Sequence, residues 1–350
     1  MDKHFGLNAY KARYLVDKPH CGMRLDRFLQ IYLREFSRET IKEKIKNGEV
    51  TIKERSGSIR ASTKIKQSDI IEMVIYKTEH EDEYWSNKKL DISAKPEILF
   101  EDDNLIVISK PPFMAAHPTG RHLFYCATVY FESIYKHTIH PIHRLDRETS
   151  GILLLAKNSS TAKNLGYLFE NEKVFKCYFF ISLVDTQAFK GEDFIADERL
   201  GQESGLDRMT IRHYRQDSKQ GKKALTKFYI LMRDQKYVVG LAFPKTGRQH
   251  QIRVHALAHG LPLLGDKLYL GGIGVFQRFK ERKATEEDHR LLEIPRHALH
   301  ATAIKIAYGK IGFFRCNLPM DLKKWLKNKT KFDIKKLQKK MDDKIKMNFQ

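Results

Sequence analysis

The stretch that decides the fold reads His143-Arg144-Leu145-Asp146-Arg147-Glu148-Thr149-Ser150-Gly151 and continues as Ile152-Leu153-Leu154-Leu155-Ala156. A polar segment followed by an unbroken apolar run predicts a loop that leads into a buried strand. Asp146 lies in this loop between Arg144 and Arg147. An acidic residue between arginines is more often a solvated surface cluster, yet this one opens directly into a predicted core strand. A carboxylate near arginine has its pKa lowered by about 1–3 units, so Asp146 is a candidate nucleophile or base.

Two further stretches carry chemically versatile side chains. One is Lys176-Cys177-Tyr178, and the other runs from Lys245-Thr246-Gly247-Arg248-Gln249-His250 through Arg253 to His255, continued by Gly265-Asp266-Lys267-Leu268-Tyr269. With the loop around Asp146 and its leucine run, they resemble the three motifs of the RluA-type pseudouridine synthases. The resemblance begins near residues 98–105, with Lys110-Pro111 and His117-Pro118, and it ends near residues 296–301 and 318–319.

This resemblance implies an enzyme that isomerises uridines in RNA, with Asp146 as the catalytic carboxylate acting on a flipped-out base. It implies that Tyr178 contacts the base, that Arg253 pairs with Asp146 and keeps it charged, and that Arg144 fills the gap left by the base. The further RNA contacts expected are Arg147, Lys176, Arg248 and His250, and for the last three scaffold support remains the alternative to phosphate contact. No cofactor and no metal is implied.

The charge of the chain agrees with an RNA partner. The sequence holds 64 Lys plus Arg against 43 Asp plus Glu, a formal net charge of +21, which suits a polyanion. We expect ribosomal RNA in preference to transfer RNA, no obligate protein partner, and a monomer. No run approaches the ~18 apolar residues of a spanning helix and the N-terminus lacks a signal-peptide core, so we expect a cytoplasmic protein without membrane contact.

The cysteines do not suggest a framework of disulfides or a zinc knuckle. Cys21, Cys126, Cys177 and Cys316 are scattered along the chain and form no Cys-x-x-Cys pair. We expect all four to be reduced residues that serve in packing.

The N-terminal part predicts two short helices that lead into a small sheet. Apolar residues recur at helical spacing between Arg24 and Arg34, and Ser37 is a candidate cap for a second helix with Ile41 and Ile45 on one face, ending at Gly48. Alternating residues at 50–52 and 70–75 predict strands.

This pattern resembles the alpha-L type RNA-binding module first known from a small-subunit ribosomal protein. The resemblance covers about residues 20–77, with Ser68-Asp69 in place of the Gly-Asp that often precedes its last strand. It implies that Arg38 and Lys42 contact RNA, whereas a solvated helix face is the alternative for these cations.

We predict four segments: the module at 20–77, a linker at 78–95, a catalytic domain at 96–322, and a basic tail at 323–350. The linker prediction rests on the acidic stretch from Thr78 to Tyr84. Buried strands at 105–108, 151–156 and 238–243, helices near 161–170 and 250–258, and hairpin-like strands between 178 and 231 favour an α+β fold. The resemblance implies a mainly antiparallel central sheet with the active-site cleft across it.

The tail is strongly basic. From Asp321 to Gln350 it holds eleven lysines and four aspartates, a net charge of +7, with apolar residues spaced so that part of it can be helical. A solubilising surface helix and an RNA-binding helix are both open interpretations.

Two other functions are compatible with parts of the sequence. His250, His255 and His259 fall on one predicted helix, and the last two at i, i+4 can face one metal, but no Glu lies between them to act as base. We therefore disfavour a metallo-phosphodiesterase. The stronger alternative is a catalytically idle RNA-binding protein, which would have no need of Asp146, Tyr178 and Arg253 together.

Overall fold

The computed structural model of the chain describes residues 2–6, 8–33, 37–55, 57–77, 81–119, 122–185, 188–189, 191, 193–202, 210–309 and 312–349. The chain divides into two compact units. The first unit comprises residues 1–81 and 117–139, and the second comprises residues 82–116 and 140–350.

The first unit is a sheet with helices packed on it. In chain order its elements are β1 (Asp2–Phe5), β2 (Ala9–Leu15), α1 (Leu25–Tyr32), α2 (Arg38–Lys46), β3 (Val50–Ile52), β4 (Ile70–Tyr76) and α3 (Ala127–Tyr135). Its described strands pair antiparallel in the order β1-β2-β4-β3.

The helices and strands predicted at 24–52 and 70–75 are confirmed. Helix α1 buries Leu25, Phe28 and Leu29, and α2 buries Ile41 and Ile45, as their helical spacing requires. Helix α2 begins where the Ser37 side chain accepts a hydrogen bond from the backbone N–H of Thr40. The predicted end of the first helix at Arg34 lies outside the described residues.

Ser68 and Asp69, which stand where the module often has Gly-Asp, form the turn before β4. Ser68 has a φ of 68°, the left-handed conformation that glycine adopts at lowest cost. The side chain of Asp69 accepts the backbone N–H of Lys66 at 2.6 Å and pairs with Arg55 at 2.8 Å. The turn therefore keeps a glycine-like geometry, and these contacts hold it.

The first unit is larger than the predicted module at 20–77. Strands β1 and β2 precede the module, and residues 117–139, expected within a domain at 96–322, fold here instead. The reason is Glu81, a buried carboxylate that accepts the backbone N–H groups of Leu123, Phe124 and Tyr125 at 2.6, 3.0 and 3.1 Å. Phe124 packs in the core of the same unit. The start of the predicted linker, residues 78–80, lies outside the described residues.

The second unit is built on one large sheet. Its strands are β5 (Tyr84–Trp85), β6 (Lys88–Lys89), β7 (Glu97–Glu101), β8 (Leu105–Lys110), β9 (His140–Pro141), β10 (Ser150–Ala156), β11 (Phe175–Leu183), β12 (Phe194–Ala196), β13 (Arg199–Gln202), β14 (Ile211–Tyr214), β15 (Thr226–Arg233), β16 (Tyr237–Pro244), β17 (Leu299–Lys305) and β18 (Phe313–Arg315). Its helices are α4 (Ser159–Glu170), α5 (Gln251–Ala258), α6 (Gly272–Lys280), α7 (Glu286–Leu292), α8 (Met320–Lys329) and α9 (Ile334–Phe349).

The main path of the large sheet runs β12-β15-β16-β11-β17-β10-β8-β7, with β18 beside β17 and β9 beside β10. Among the described pairings of this sheet, β10 with β17 is parallel and the others are antiparallel. The predicted mixed α and β fold with a mainly antiparallel sheet is confirmed.

The sheet carries helices on both faces, because successive side chains of a strand point to opposite sides. On one face Phe180, Phe228 and Ala242 pack with Ile252 and Ala256 of α5. On the other face, residues of β11, β15 and β16 pack with α8 and α9. Thus α5 and the C-terminal helices lie on opposite faces of one sheet.

Two segment boundaries differ from the predictions. The tail from 323 is no separate segment, since Trp325, Leu337, Met341 and Ile345 are buried in the core of the second unit. The predicted linker also folds from residue 82 onward: β5 pairs with β6, and Trp85 stacks on another aromatic ring of the unit at 5.7 Å. The predictions for these two segments rested on their charge, which does not indicate such apolar contacts.

Cys126, Cys177 and Cys316 are buried free thiols, as expected of packing residues, whereas Cys21 is exposed. Among the helices of the described residues, none combines the length and the apolar character needed to cross a membrane.

Candidate active site

Asp146 lies in the loop between β9 and the central strand β10. Its carbonyl accepts the backbone N–H of Thr149 at 3.0 Å, which turns the loop towards the buried strand. The Asp146 side chain keeps 26% of its surface exposed. The predicted transition from polar loop to core strand is therefore confirmed, and it leaves the carboxylate accessible at the end of a rigid element.

Arg253 of α5 reaches Asp146 as the sequence predicts. Its Nη1 donates to Oδ2 of Asp146 at 3.0 Å, while Nε and Nη2 donate to the two oxygens of Asp266 at 2.7 and 2.8 Å. The guanidinium is planar, so its two-bond contact with Asp266 fixes the direction of the remaining N–H groups. Asp266 thereby orients the group that holds Asp146.

Asp266 was not among the predicted site residues, although it stands in the quoted run from Gly265 to Tyr269. It is fully buried and also accepts the N–H groups of Leu268 and Tyr269. Gly265 has a φ of 76°, and a Cβ there would lie 2.1 Å from the carbonyl oxygen of Arg296. The motif therefore combines a glycine that the close backbone approach requires with the carboxylate that anchors Arg253.

Asp146 is an ionised carboxylate at neutral pH. Burial alone would raise its pKa, but Arg253, together with His250, which is protonated in the acid range where Asp146 titrates, holds the pKa well below its usual range. Burial lowers the pKa of His250 to about 4, so His250 is neutral at pH 7. Arg253 is thus the charge that keeps Asp146 ionised under physiological conditions.

His250 lies immediately before α5 with a φ of 54°. Its Nδ1 is 2.9 Å from the hydroxyl oxygen of Tyr269, and its Nε2 is 3.9 Å from Oδ1 of Asp146. The Tyr269 oxygen accepts the N–H of Ile211 at 3.0 Å and so has its own proton to donate to Nδ1. With the Tyr269 hydroxyl assigned as donor to Nδ1, the proton of neutral His250 lies on Nε2, the nitrogen nearer Asp146.

The strand pairing of the large sheet places Tyr178 near the start of β10, the strand that follows Asp146. Tyr178 pairs with Ala301 of β17, and Ala301 pairs in turn with Gly151 at the start of β10. Gly151 has a φ of 108°, and a Cβ there would lie 2.2 Å from the carbonyl oxygen of Ala301. Burial and the charge of Asp146 raise the pKa of Tyr178, so its phenol is protonated at neutral pH. The ring is half-buried and packs against the core on the α5 face of the sheet.

The segment before α5 is held by polar contacts. Gln251 accepts the backbone N–H of Arg248 at 2.9 Å and the hydroxyl of Thr246 at 2.6 Å. Lys176 donates to the carbonyl of Thr246 at 3.1 Å, and burial lowers the pKa of Lys176 to about 8. The Arg248 side chain is exposed and donates to the carbonyl of Lys223. Lys176 therefore contacts the backbone of this turn, and Arg248 remains accessible from solvent.

The two arginines beside Asp146 differ. Arg144 is exposed, as a residue that enters RNA would have to be. Arg147 pairs with Glu83 at 2.8 Å and donates to the carbonyl of Phe113, with 19% of its side chain exposed. Glu83 belongs to the segment predicted as a linker. The intramolecular partners of Arg147 account for its position without RNA.

Lys110 supports the loop that carries Asp146. It is completely buried, and its Nζ donates to the carbonyls of Pro111, Met114 and Arg147 at 3.0, 2.8 and 3.1 Å. These bonds tie the end of β8 to the residue that follows Asp146. In the sequence, Lys110 is marked by the Lys110-Pro111 pair near the beginning of the resemblance.

The predicted RNA contacts of the first unit have acidic partners. Arg38 and Arg24 both donate to Asp26, whose side chain is fully buried. Burial opposes ionisation, yet the two arginines lower the pKa of Asp26 to about 2. Lys42 pairs with Glu39 at 2.7 Å. Arg38 therefore joins α1 to α2, and any RNA contact by Arg38 or Lys42 would be additional to these pairs.

The histidines considered as metal ligands have other partners. His255 is buried, with Nδ1 2.9 Å from the hydroxyl of Thr226, and His259 lies 2.8 Å from Glu198. Within the described residues, no group of three or more His, Cys, Asp or Glu side chains is placed to hold a metal ion. His250 and His259 flank α5, so only His255 lies within it.

Comparison with known proteins adds independent information. A family model described as RNA pseudouridylate synthase matches residues 104–258, which include Asp146, Tyr178 and Arg253. An uncharacterized RNA pseudouridine synthase of Aquifex aeolicus is 30% identical over 266 residues, covering 70% of this chain and 76% of that protein. Ribosomal large subunit pseudouridine synthase C of Vibrio parahaemolyticus is 29% identical over 314 residues, covering 88% and 92%.

A third relative, the mitochondrial tRNA pseudouridine(32) synthase of Saccharomyces cerevisiae, is 32% identical over 270 residues, covering 75% of this chain and 55% of that protein. Among solved structures, human RNA pseudouridylate synthase domain containing 4 matches with a TM-score of 0.51 and 25% identity, covering 66% of this chain and 92% of that chain.

Proposed function

The chain belongs to the RluA-type family of RNA pseudouridine synthases, and from this premise we propose that it isomerises specific uridines of ribosomal or transfer RNA with Asp146 as catalytic carboxylate. The observation that carries the proposal is the guanidinium of Arg253, shared between Asp266 and Asp146. It supplies an accessible carboxylate that is charged and fixed in direction, which is what a nucleophile or base requires.

The reaction rearranges bonds without external energy. The bond from ribose to the ring nitrogen breaks, the uracil turns, and a new bond forms from the ribose to carbon five. The hydrogen of carbon five leaves as a proton and the freed ring nitrogen takes up a proton, so the product is an isomer of the substrate. Asp146 would attack the ribose carbon, attack carbon six of the ring, or remove a ribose proton. All three routes require the ionised form that Arg253 maintains.

The target base has to leave its stack before Asp146 can reach it. Extrusion costs a few kcal/mol, and stacking on an aromatic ring returns about 1–3 kcal/mol of that cost. Tyr178 is the proposed partner for the base, because its ring is half-buried and lies close enough to Asp146 for that charge to raise its pKa. Exposed Arg144 is the proposed group that fills the vacated space.

The phosphates flanking the flipped nucleotide need cationic or N–H partners. We assign this role to Arg248, which is exposed at the turn before α5, and a supporting role to His250, whose Nε2 faces Asp146. Lys176 is assigned to the scaffold of that turn, and Arg147 to its pair with Glu83. In the first unit, Arg38 and Lys42 remain secondary candidates for RNA contact.

Ribosomal RNA is the preferred substrate. Support comes from relatives named as ribosomal large subunit synthases, which align over most of both chains. The yeast relative is named for position 32 of transfer RNA, so transfer RNA is the alternative substrate.

The test uses ribosomal RNA and transfer RNA, each transcribed with uridine tritiated at carbon five. Wild-type protein should release tritium from one of them, since the new bond displaces hydrogen at that carbon, and mapping should locate pseudouridine. Asp146→Asn should abolish release while RNA binding changes only a few-fold, because the amide keeps the shape but loses the nucleophile. Asp217→Asn, at a side chain that is 72% exposed, is the matched control and should behave as wild type. Sustained turnover by Asp146→Asn would refute the assignment.

A further inference from the structure

A groove lies at the edge of the large sheet, where β12 ceases to pair with β15 after Phe228. Its volume is about 750 Å³. The residues that matter in its lining are the apolar Ile230, Met232 and Phe332 and the cationic Arg233, Lys336 and Lys340. Strand β15 and helix α9 form the two sides of the groove.

The groove carries an excess of positive charge. Its acidic lining residue, Asp193, is occupied, because Oδ1 accepts the N–H of Ile230 at 2.7 Å and Oδ2 lies 3.4 Å from Lys344. Lys340 donates to the carbonyl of Leu231 at 2.7 Å and so covers the strand edge. Arg233 and Lys336 are exposed, and neither forms an ion pair with a residue that the structure describes.

The cationic surface continues along α9. Lys335, Lys339 and Lys346 are exposed, whereas Leu337 and Met341 are buried against the sheet. The apolar side of the helix is therefore already covered by its own unit, and on the side that faces solvent these lysines outnumber the exposed carboxylate of Asp343. Such a surface matches a polyanion better than an apolar protein partner.

Phe332 distinguishes among polyanions. Its ring is half-buried beside the core and lines the groove together with Arg233 and Lys336. Cations beside an aromatic ring are the combination with which proteins bind single-stranded nucleic acid, since phosphates meet the charges and a base stacks on the ring. Helices α8 and α9 cover the sheet face opposite α5, which carries Arg253, so this groove is distinct from the site of Asp146.

We infer that Arg233, Lys336, Phe332 and the lysine face of α9 bind a strand of the RNA substrate outside the target uridine. The inference rests on the proposed function for the identity of the RNA. It gives the basic C-terminal helix a role in holding a long substrate, while the chemistry proceeds on the other face of the sheet.

The test measures binding of a fluorescein-labelled RNA of about 20 nucleotides without uridine, by anisotropy at several KCl concentrations. Arg233→Gln with Lys336→Gln should reduce the slope of log affinity against log salt by about 1.4 and weaken binding roughly tenfold at low salt. Lys163→Gln with Lys219→Gln, at two exposed lysines elsewhere in the second unit, is the charge-matched control and should leave both quantities unchanged. Phe332→Leu keeps apolar packing and should weaken binding at least about fivefold through lost stacking.

Equal affinities and salt slopes for the groove variant and its control would overturn the inference. So would loss of binding to vesicles containing phosphatidylserine with RNA binding retained, which would assign the surface to a membrane. The probe lacks uridine, so failure of the inference is separate from failure of the proposed function, which would appear as absent tritium release. The groove variant should retain the wild-type maximal rate on a short stem-loop substrate.

Discussion

Removing the positive charge beside Asp146 should bring the ionisation of this carboxylate into the measurable pH range. Arg253→Gln alone would leave Asp266 buried without its charged partner, which costs about 3–5 kcal/mol of stability. The informative protein is therefore Arg253→Gln with Asp266→Asn, which removes both buried charges and keeps the side chains similar in size. Asp146 then retains its burial but loses its guanidinium.

The size of the effect follows from the contact. The two groups meet at 3.0 Å between Nη1 and Oδ2, and their charge centres are about 4 Å apart. At an effective dielectric constant of about 20 this attraction amounts to about 4 kcal/mol, or about 3 pKa units. Burial, the largest effect on Asp146, raises the pKa, and in the double variant it would still be opposed by His250 and His297 but no longer by the guanidinium. The pKa of Asp146 should therefore rise by about 3 units, from well below its usual range into the ordinary range of an aspartate.

The assay is the single-turnover rate of tritium release between about pH 3 and pH 9. In the wild type, Asp146 is ionised throughout, so the rate should show no loss on its account at the acid end. In the double variant the active, ionised form should disappear as the pH falls through the raised pKa, and the rate should approach a tenfold drop per pH unit. Repeating both profiles with His250→Gln removes the nearby histidine that acts most strongly on Asp146. Identical acid limbs in both backgrounds would refute the claim that Arg253 maintains the charge.

Three other predictions test separate parts of the molecule. Tyr178→Phe should retain most of the RNA affinity and Tyr178→Ala should lose about 1–3 kcal/mol, measured by anisotropy; equal affinity for all three proteins would remove Tyr178 from the base pocket. Tritium release from a prefolded minimal RNA should survive exhaustive chelation, because the proposed chemistry uses a carboxylate and a stacked base; activity that disappears and returns with zinc would contradict this. Asp26→Asn should destabilise α1 and α2 by about 2 kcal/mol at pH 7, seen as roughly thirtyfold faster hydrogen exchange. The difference from wild type should fade as the pH falls from about 4 to about 2, where Asp26 itself becomes protonated, and a difference that persists would exclude the ion pairs as its source.

Periodic patterns predicted the regular elements well. The helices at 25–32, 38–46 and 159–170 and the strands at 105–110, 150–156 and 237–244 all lie where apolar spacing places them. These elements bury one face or both, so the side chains of neighbouring residues already record which face is buried. Caps such as Ser37 are equally local, since donor and acceptor are three residues apart.

The site was predictable where its groups belong to a recognisable motif. The pairing of Asp146 with Arg253 joins residues 107 positions apart and was nevertheless expected, because the resemblance linked the two motifs. Asp266, Lys110 and Glu83 were not assigned roles. Each acts through a neighbour: Asp266 orients Arg253, Lys110 holds the loop backbone, and Glu83 pairs with Arg147. Such support depends on which segments the fold brings together.

The sequence by itself determined the regular elements, the excess of positive charge and the motifs that carry the chemistry, because each is a property of neighbouring residues or of a recognisable stretch. Only the tertiary structure decided that residues 117–139 join the first unit, that the basic tail packs on the sheet, and that α5 and α9 lie on opposite faces. The physical reason is that a buried carboxylate such as Glu81, or an apolar stripe such as that of α9, is satisfied by partners distant in the chain. Charge and polarity read along the sequence do not identify those partners.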